Sequence, residues 1–290
     1  MYKGIYTALI GPFKNNVFDV ESFEHLITSQ IQAGVDGFVV NGTTAESPNL
    51  NQEEVLAALH IVKNLCMEQK IIVGCGSNST HKTISLAQAL EKEGGFDAFL
   101  LVVPYYNKPT QEGLYQHFKA IHDNTNKDII LYNVPGRTIT SLEPETCARL
   151  SKLDRIVGLK DATGDMEYYK KTRDLCGPSF SILSGDDATF AEFALLGGNG
   201  CISVLSHLFA APMKACFHKA IESDSSAKAD YESYQKICKL LFQEPSPAPV
   251  KYALKKMGII SENSLRLPLV TVTENLAQEI DQELQRLKVI

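Results

Sequence analysis

Short apolar runs, too brief and too β-branched for helices, alternate with longer amphipathic runs over the first ~205 residues, and this alternation limits the possible folds more than any other feature. Strand-like runs occupy 5–10, 37–41, 71–74, 98–103, 129–132, 156–159, 181–183 and 201–204. Between them lie helical patterns with recognisable starts: Asp19 before 20–33, Asn51 with Glu54 as a capping-box pair, Thr80 before 81–92, and Thr110 before 111–124. Gly34, Gly94-Gly95 and Gly197-Gly198 stand where helices should stop. Alternating strands and helices imply a parallel sheet with crossovers. Eight such units favour a closed (β/α)₈ TIM barrel over an open doubly wound sheet. No G-x-G-x-x-G follows the first strand; the nearest approach, Gly74-Cys75-Gly76, runs on into Ser77-Asn78-Ser79 and reads as a turn.

Beyond Val204 the pattern is helical only, over 210–222, 227–242, 250–257 and 274–287, with breaks at Pro245-Ser246-Pro247 and around Pro268. The expected organisation is a catalytic barrel over 1–207, a closing helix running to about 222, and a C-terminal helical appendage over 223–290.

A chain of 290 residues, 44% of them hydrophobic, can bury one large core or two of ordinary size. Its net charge of −6 argues against nucleic acid or an anionic membrane as partner and suits a small-molecule substrate. The seven cysteines are scattered, odd in number and without a C-x-x-C pair, so they read as reduced thiols. The start, Met1-Tyr2-Lys3-Gly4-Ile5, lacks a basic segment followed by an apolar one, and no apolar run reaches membrane-spanning length. A cytoplasmic location is expected.

In such barrels chemistry gathers at the C-terminal ends of the strands. The sixth strand, Ile156-Val157-Gly158-Leu159, ends on Lys160. An ammonium in apolar surroundings loses hydration, and the neutral amine can attack a carbonyl carbon to form a Schiff base. The alternative is an ion pair with Asp161, Asp186 or Asp187. Gly42-Thr43-Thr44 follows the second strand and offers N–H groups and hydroxyls to a carboxylate, or merely completes a turn. Tyr132, ending the fifth strand, can serve as general acid and base, or as a core aromatic. Arg137 can grip a carboxylate with two hydrogen bonds, or pair with Asp161 or Glu143. Tyr105-Tyr106 follow the fourth strand and Gly185 the seventh. What favours chemistry is that all lie at one end of one expected barrel.

The set Gly42-Thr43-Thr44-x-Glu46-Ser47, Pro104-Tyr105-Tyr106-Asn107, Tyr132-Asn133-Val134-Pro135-x-Arg137-Thr138 and Gly158-Leu159-Lys160-Asp161-Ala162-Thr163-Gly164 resembles the dihydrodipicolinate synthases, within the pyruvate-dependent class I aldolase and N-acetylneuraminate lyase superfamily. The likeness runs from Gly4 to Pro268. It implies condensation of pyruvate with L-aspartate 4-semialdehyde, the entry to the diaminopimelate route of lysine biosynthesis. By this resemblance Lys160 carries the Schiff base, and Thr43, Tyr132 and Tyr106 form a proton relay, Tyr106 reaching in from a neighbouring subunit. Thr44 and Ile202 would hold pyruvate, Arg137 would meet the semialdehyde's carboxylate, and Gly185 would be a further substrate-binding position. The resemblance also implies a homo-oligomer, usually a tetramer of two tight dimers. No cofactor is expected beyond the covalent pyruvate. No metal is expected either, since His25, His60, His81, His117, His122, His207 and His218 show no compact ligand spacing.

Two departures from the family pattern stand out. Ala45 replaces a usual glycine, which is nearly neutral if that residue keeps a negative φ; that is the expectation. Ser246 replaces an asparagine in an Asn-Pro pattern. At the lysine-binding allosteric site of inhibited members, Ser47, Asn78 and Tyr105 match, but Gln52 and Val55 replace two histidines and Lys82 replaces a glutamate that would hold the ligand's ammonium. A positive charge there repels that ammonium. Millimolar lysine should therefore leave the rate almost unchanged, and strong suppression in a low-millimolar titration would refute this. Competing readings are a lyase for N-acetylneuraminate or a 2-keto-3-deoxy sugar acid, which would have little use for Arg137, and a non-catalytic barrel, which would not need the full set.

Overall fold

The computed structural model describes all 290 residues. Its strands are β1 (Gly4–Ala8), β2 (Phe13–Lys14), β3 (Val17–Phe18), β4 (Gly37–Val40), β5 (Lys70–Gly74), β6 (Ala98–Val102), β7 (Asp128–Asn133), β8 (Ile156–Asp161), β9 (Ser181–Ser184) and β10 (Gly200–Ser203). Apart from the antiparallel β2–β3 hairpin, they close into one barrel in sequence order, β10 returning to β1, and every pairing in it is parallel. This is the expected (β/α)₈ architecture. The hairpin was not foreseen, because strands of two residues carry no periodicity.

Local capping chemistry places most helix starts as expected. Asp19 accepts the Ser22 N–H, Thr110 accepts the Gly113 N–H, and Asn51 and Glu54 close a reciprocal capping box. One start shifts by a residue: the helix Thr80–Glu93 is capped by Ser79, whose hydroxyl accepts the Lys82 N–H. The same helix ends on Gly94 at φ 65°, a left-handed conformation that glycine takes without cost.

After β10 the expectations need more revision. The closing helix starts earlier, at Ser206, and runs to Ile221 with a non-helical Phe209 at φ −136°. Pro212 explains the break, since its ring clashes with the carbonyl four residues back. The single helix expected over 227–242 is two, Ser226–Glu232 and Gln235–Gln243. The break lets Tyr231 donate to the Asp187 carbonyl at 3.0 Å while Ile237, Cys238, Leu240 and Leu241 bury on the following segment. Tertiary packing overrides propensity there. Helices Ala248–Lys256 and Glu274–Arg286 complete the chain and pack on each other. No helix is long and apolar enough to cross a membrane.

Two apolar clusters follow from the two-residue period of the strands. The outer one, 61 buried residues between strands and helices, takes Phe38, Phe99, Leu101, Ile129, Leu131 and Ile182. The inner one has only 12, including Val39, Leu100, Ile130, Tyr132, Leu183 and Ile202. Most apolar burial, at about 25 cal/mol per Å², therefore lies outside the barrel, and the interior can hold polar groups near its mouth.

β8 is the exception to strict alternation. Ile156 faces outward and Val157 packs inward, so uninterrupted alternation would send Lys160 outward. The pairing with β7 instead slips between Ile129 and Ile130, opposite Ile156 and Gly158, so β8 carries one extra residue. Beyond that bulge Leu159 packs outward, and Lys160 turns into the barrel.

Candidate active site

A cavity of about 440 Å³ opens where β4 to β7 end, and Thr43, Tyr132 and Arg137 line it together with Gly42, Lys82 and Tyr105. Lys160 lies next to it: residues 132, 160 and 183 stand in register on three adjacent strands. Its Nζ sits 4.4 Å from the centroid of the Tyr132 ring. Lys160 and Tyr132 are each 7% exposed.

Lys160 makes no ion pair and no side-chain hydrogen bond, because its three carboxylate candidates are engaged elsewhere. Asp161 accepts from the Thr163 N–H at 2.9 Å and hydroxyl at 2.7 Å. Asp186 accepts the Ala188 N–H at 2.8 Å, and Asp187 the N–H groups of Val204 and Leu205 at 3.0 and 2.8 Å. Burial pushes the Asp161 carboxyl up to about 6 despite the Thr163 bonds, and burial likewise raises Asp187. The ion-pair explanation of Lys160 therefore fails.

Gly185 matters through its missing side chain. A Cβ there would stand 2.9 Å from Lys160 Cε and 3.1 Å from Cγ, so even a methyl group would displace the lysine stem. Ile202 is 1% exposed in the inner barrel layer. It does not line the cavity.

The loop after β4 forms a 3₁₀ turn, Thr43–Ala45, in which the Ala45 N–H reaches the Gly42 carbonyl at 3.1 Å and the Glu46 N–H that of Thr43 at 3.0 Å. Ala45 keeps an ordinary negative φ, as expected, and is buried; the left-handed residue is Glu46 at φ 59°. Neither the Thr43 nor the Thr44 hydroxyl bonds any group of the protein, so the pair is not consumed in completing the turn. Thr43 lines the cavity and Thr44 is buried behind it.

Arg137 is exposed on the one-turn helix Pro135–Thr138 that follows β7, and it pairs with neither Asp161 nor Glu143. Tyr132 likewise spends its hydroxyl on no protein group. Tyr106 is the candidate that this chain does not bring in: it is 87% exposed at φ 74° and does not line the cavity, although Tyr105 does. Lys82 lines the same cavity, Gln52 is exposed, Val55 is buried, and Ser246 is buried. No group of three or more His, Cys, Asp or Glu side chains is placed to hold a metal ion.

Two residues escaped sequence reasoning. Asn41 lines the cavity at φ 56°, with its amide donating to the Gly74 carbonyl at 2.7 Å. Asparagine tolerates that conformation, and an Asn between a strand and Gly42 was the available signal. Glu46 is buried and meets a lysine far along the chain, for which the sequence offers no local signal.

The dihydrodipicolinate synthetase family model matches residues 1–287. The 4-hydroxy-tetrahydrodipicolinate synthase of Bdellovibrio bacteriovorus is 44% identical, over 100% of this chain and 99% of that protein. The crystal structure of the chloride-inhibited dihydrodipicolinate synthase of Acinetobacter baumannii, in complex with pyruvate, superposes with a TM-score of 0.97 at 38% identity and covers 100% of both chains. A dihydrodipicolinate synthase variant described as monomeric matches with a TM-score of 0.94 at 38% identity, over 100% of this chain and 98% of its own. By sequence along its whole length and by fold, the chain belongs to the dihydrodipicolinate synthetase family.

Proposed function

We propose that the chain is a 4-hydroxy-tetrahydrodipicolinate synthase, a lyase of the diaminopimelate route to lysine that condenses pyruvate with L-aspartate 4-semialdehyde. The observation that carries this reading is an inward-facing, unpaired Lys160 packed on Tyr132 beside a cavity that also holds Thr43 and Arg137.

In the proposed reaction the neutral Lys160 amine attacks the keto carbon of pyruvate, and the keto oxygen leaves as water to give an imine. The protonated nitrogen then accepts the electron pair left when a methyl proton is removed. Tyr132, with Thr43 and a Tyr106 supplied by a neighbouring subunit, moves that proton. The resulting enamine carbon attacks the semialdehyde carbonyl, whose oxygen takes up a proton from the relay; the semialdehyde's amino group then adds to the imine carbon and expels the Lys160 amine, which closes the ring and frees the lysine. Thr44 and Ile202 hold pyruvate, Gly185 gives the lysine stem room, and Arg137 meets the semialdehyde carboxylate with a two-pronged contact. The reaction needs no metal or separate cofactor. The exposure of Tyr106 supports a relay completed across subunits, and hence a homo-oligomer, proposed as a tetramer of two tight dimers in the cytoplasm.

The test is a substrate comparison on the purified protein. Pyruvate with aspartate semialdehyde should be consumed together, with N-acetylneuraminate and 2-keto-3-deoxy sugar acids cleaved at least about 10²-fold more slowly by kcat/KM, because a site built to bind a carboxylate with Arg137 leaves it unpaired beside a polyhydroxy chain. Faster sugar-acid cleavage would overturn the assignment.

A further inference from the structure

Glu46 and Lys251, 205 positions apart in the sequence, form an ion pair with both side chains fully buried. The Lys251 ammonium donates to Glu46 Oε1 at 2.5 Å and to the Ser264 carbonyl at 2.9 Å, and it lies 4.3 Å from the centroid of the Phe13 ring. The other carboxylate oxygen of Glu46 accepts the Arg266 N–H at 3.0 Å and the Asn49 amide at 3.4 Å. The Arg266 guanidinium in turn holds both oxygens of Glu54, at 2.8 and 2.5 Å, and the Asn49 carbonyl at 2.9 Å. Its central carbon is also 4.3 Å from the Phe13 ring centroid. Burial pulls the Lys251 ammonium down to about 8 while Glu46 opposes the shift, so the lysine stays protonated near neutral pH.

This network grips one small piece of backbone. Glu46 ends the turn that carries Thr43 and Thr44, and its N–H closes that turn on the Thr43 carbonyl. Its left-handed φ is uncommon for a residue with a side chain. From the other side the turn packs on Gly11, where an added Cβ would lie 2.8 Å from the Ala45 carbonyl oxygen. A buried ion pair is no more stabilising than well-packed apolar residues of the same volume, because desolvation offsets the attraction. What this pair joins is the Glu46 end of the turn and the segment from Lys251 to Arg266.

We propose that Glu46 and Lys251 are positioning residues: through their buried pair, the segment from Lys251 to Arg266 sets the placement of the Thr43-Thr44 turn, and with it the affinity for the keto acid's carboxylate. This inference rests on the reading of that turn as a carboxylate seat. Neither side chain lines the cavity.

The test uses the charge-balanced double variant E46Q/K251M, in which glutamine keeps an acceptor for the Arg266 N–H and methionine keeps the apolar stem of the lysine without its ammonium. Lys160 labelling by pyruvate and borohydride is followed against pyruvate concentration, with steady-state rates and a thermal melt alongside. The folded variant should still be labelled at saturating pyruvate, but half-maximal labelling and the pyruvate KM should rise about tenfold or more while kcat stays within about threefold. A residue that merely supports the fold would lower the melting temperature and leave the pyruvate dependence unchanged, and that result would overturn the inference. If the double variant fails to fold, E46D carries the test, since it keeps both charges but shortens the arm that reaches Lys251 by one methylene, so the pair must lengthen or the turn must move; an unchanged pyruvate dependence there would be equally fatal. A native protein that is never labelled at Lys160 would sink the functional reading instead.

Discussion

Lys160→Ala is expected to lower kcat by about 10⁴-fold or more and to leave no borohydride-stable pyruvate adduct on the chain. Loss of a covalent nucleophile removes the imine pathway outright, and effects of this size are usual when such a residue is deleted. Lys160→Arg should fail as completely, because a guanidinium stays protonated and offers no free lone pair. The stability of the alanine variant distinguishes this role from a structural one. Lys160 has no carboxylate partner, since Asp161, Asp186 and Asp187 bond to backbone and hydroxyl groups, so its removal strands no buried charge. The melting temperature should therefore hold within a few degrees. Removing Lys251 alone strands a buried Glu46 and should cost about 3–5 kcal/mol. An adduct on another lysine, or activity within tenfold of the native enzyme, would refute the assignment of the nucleophile.

Tyr132→Phe should lower kcat by about 10² to 10⁴-fold, the range for loss of a positioned general acid and base. The substitution is well isolated. The ring that packs 4.4 Å from Lys160 Nζ and fills the inner barrel layer is kept, and the hydroxyl it loses has no protein partner to leave unpaired. Pyruvate should still be trapped on Lys160 by borohydride, at a reduced rate, while turnover with the semialdehyde collapses. That split separates a proton-relay residue from a packing one. A kcat within threefold of the native value would show that protons move through other groups.

How much of the site was legible in the sequence depends on the range of the interaction concerned. Lys160, Tyr132, Thr43 and Arg137 could be singled out because each follows a strand-like run, and a barrel gathers such positions at one end. Which of two roles each residue plays was not legible. Whether Arg137 pairs with Glu143 or stays free, and whether the threonine hydroxyls close the turn or remain available, depends on side-chain geometry that spacing does not encode. Asn41 was overlooked because its left-handed φ and its bond to Gly74 join two neighbouring strands. Tyr106 was singled out by resemblance alone; in the chain it is exposed and stands outside the cavity.

The sequence by itself determined the order of eight strands and their helices, the caps at Asp19, Asn51 and Thr110, and the end of the barrel where chemistry would collect, because hydrophobic period and capping act within a few residues. Tertiary structure alone decided three things. It turned Lys160 inward, through one extra residue in β8 that reverses the alternation; it drew Asp161, Asp186 and Asp187 away from that amine; and it brought Lys251 onto Glu46 beneath the Thr43-Thr44 turn. Each depends on where distant segments meet in a closed barrel, and residues far apart in the chain carry no local pattern that announces their contact.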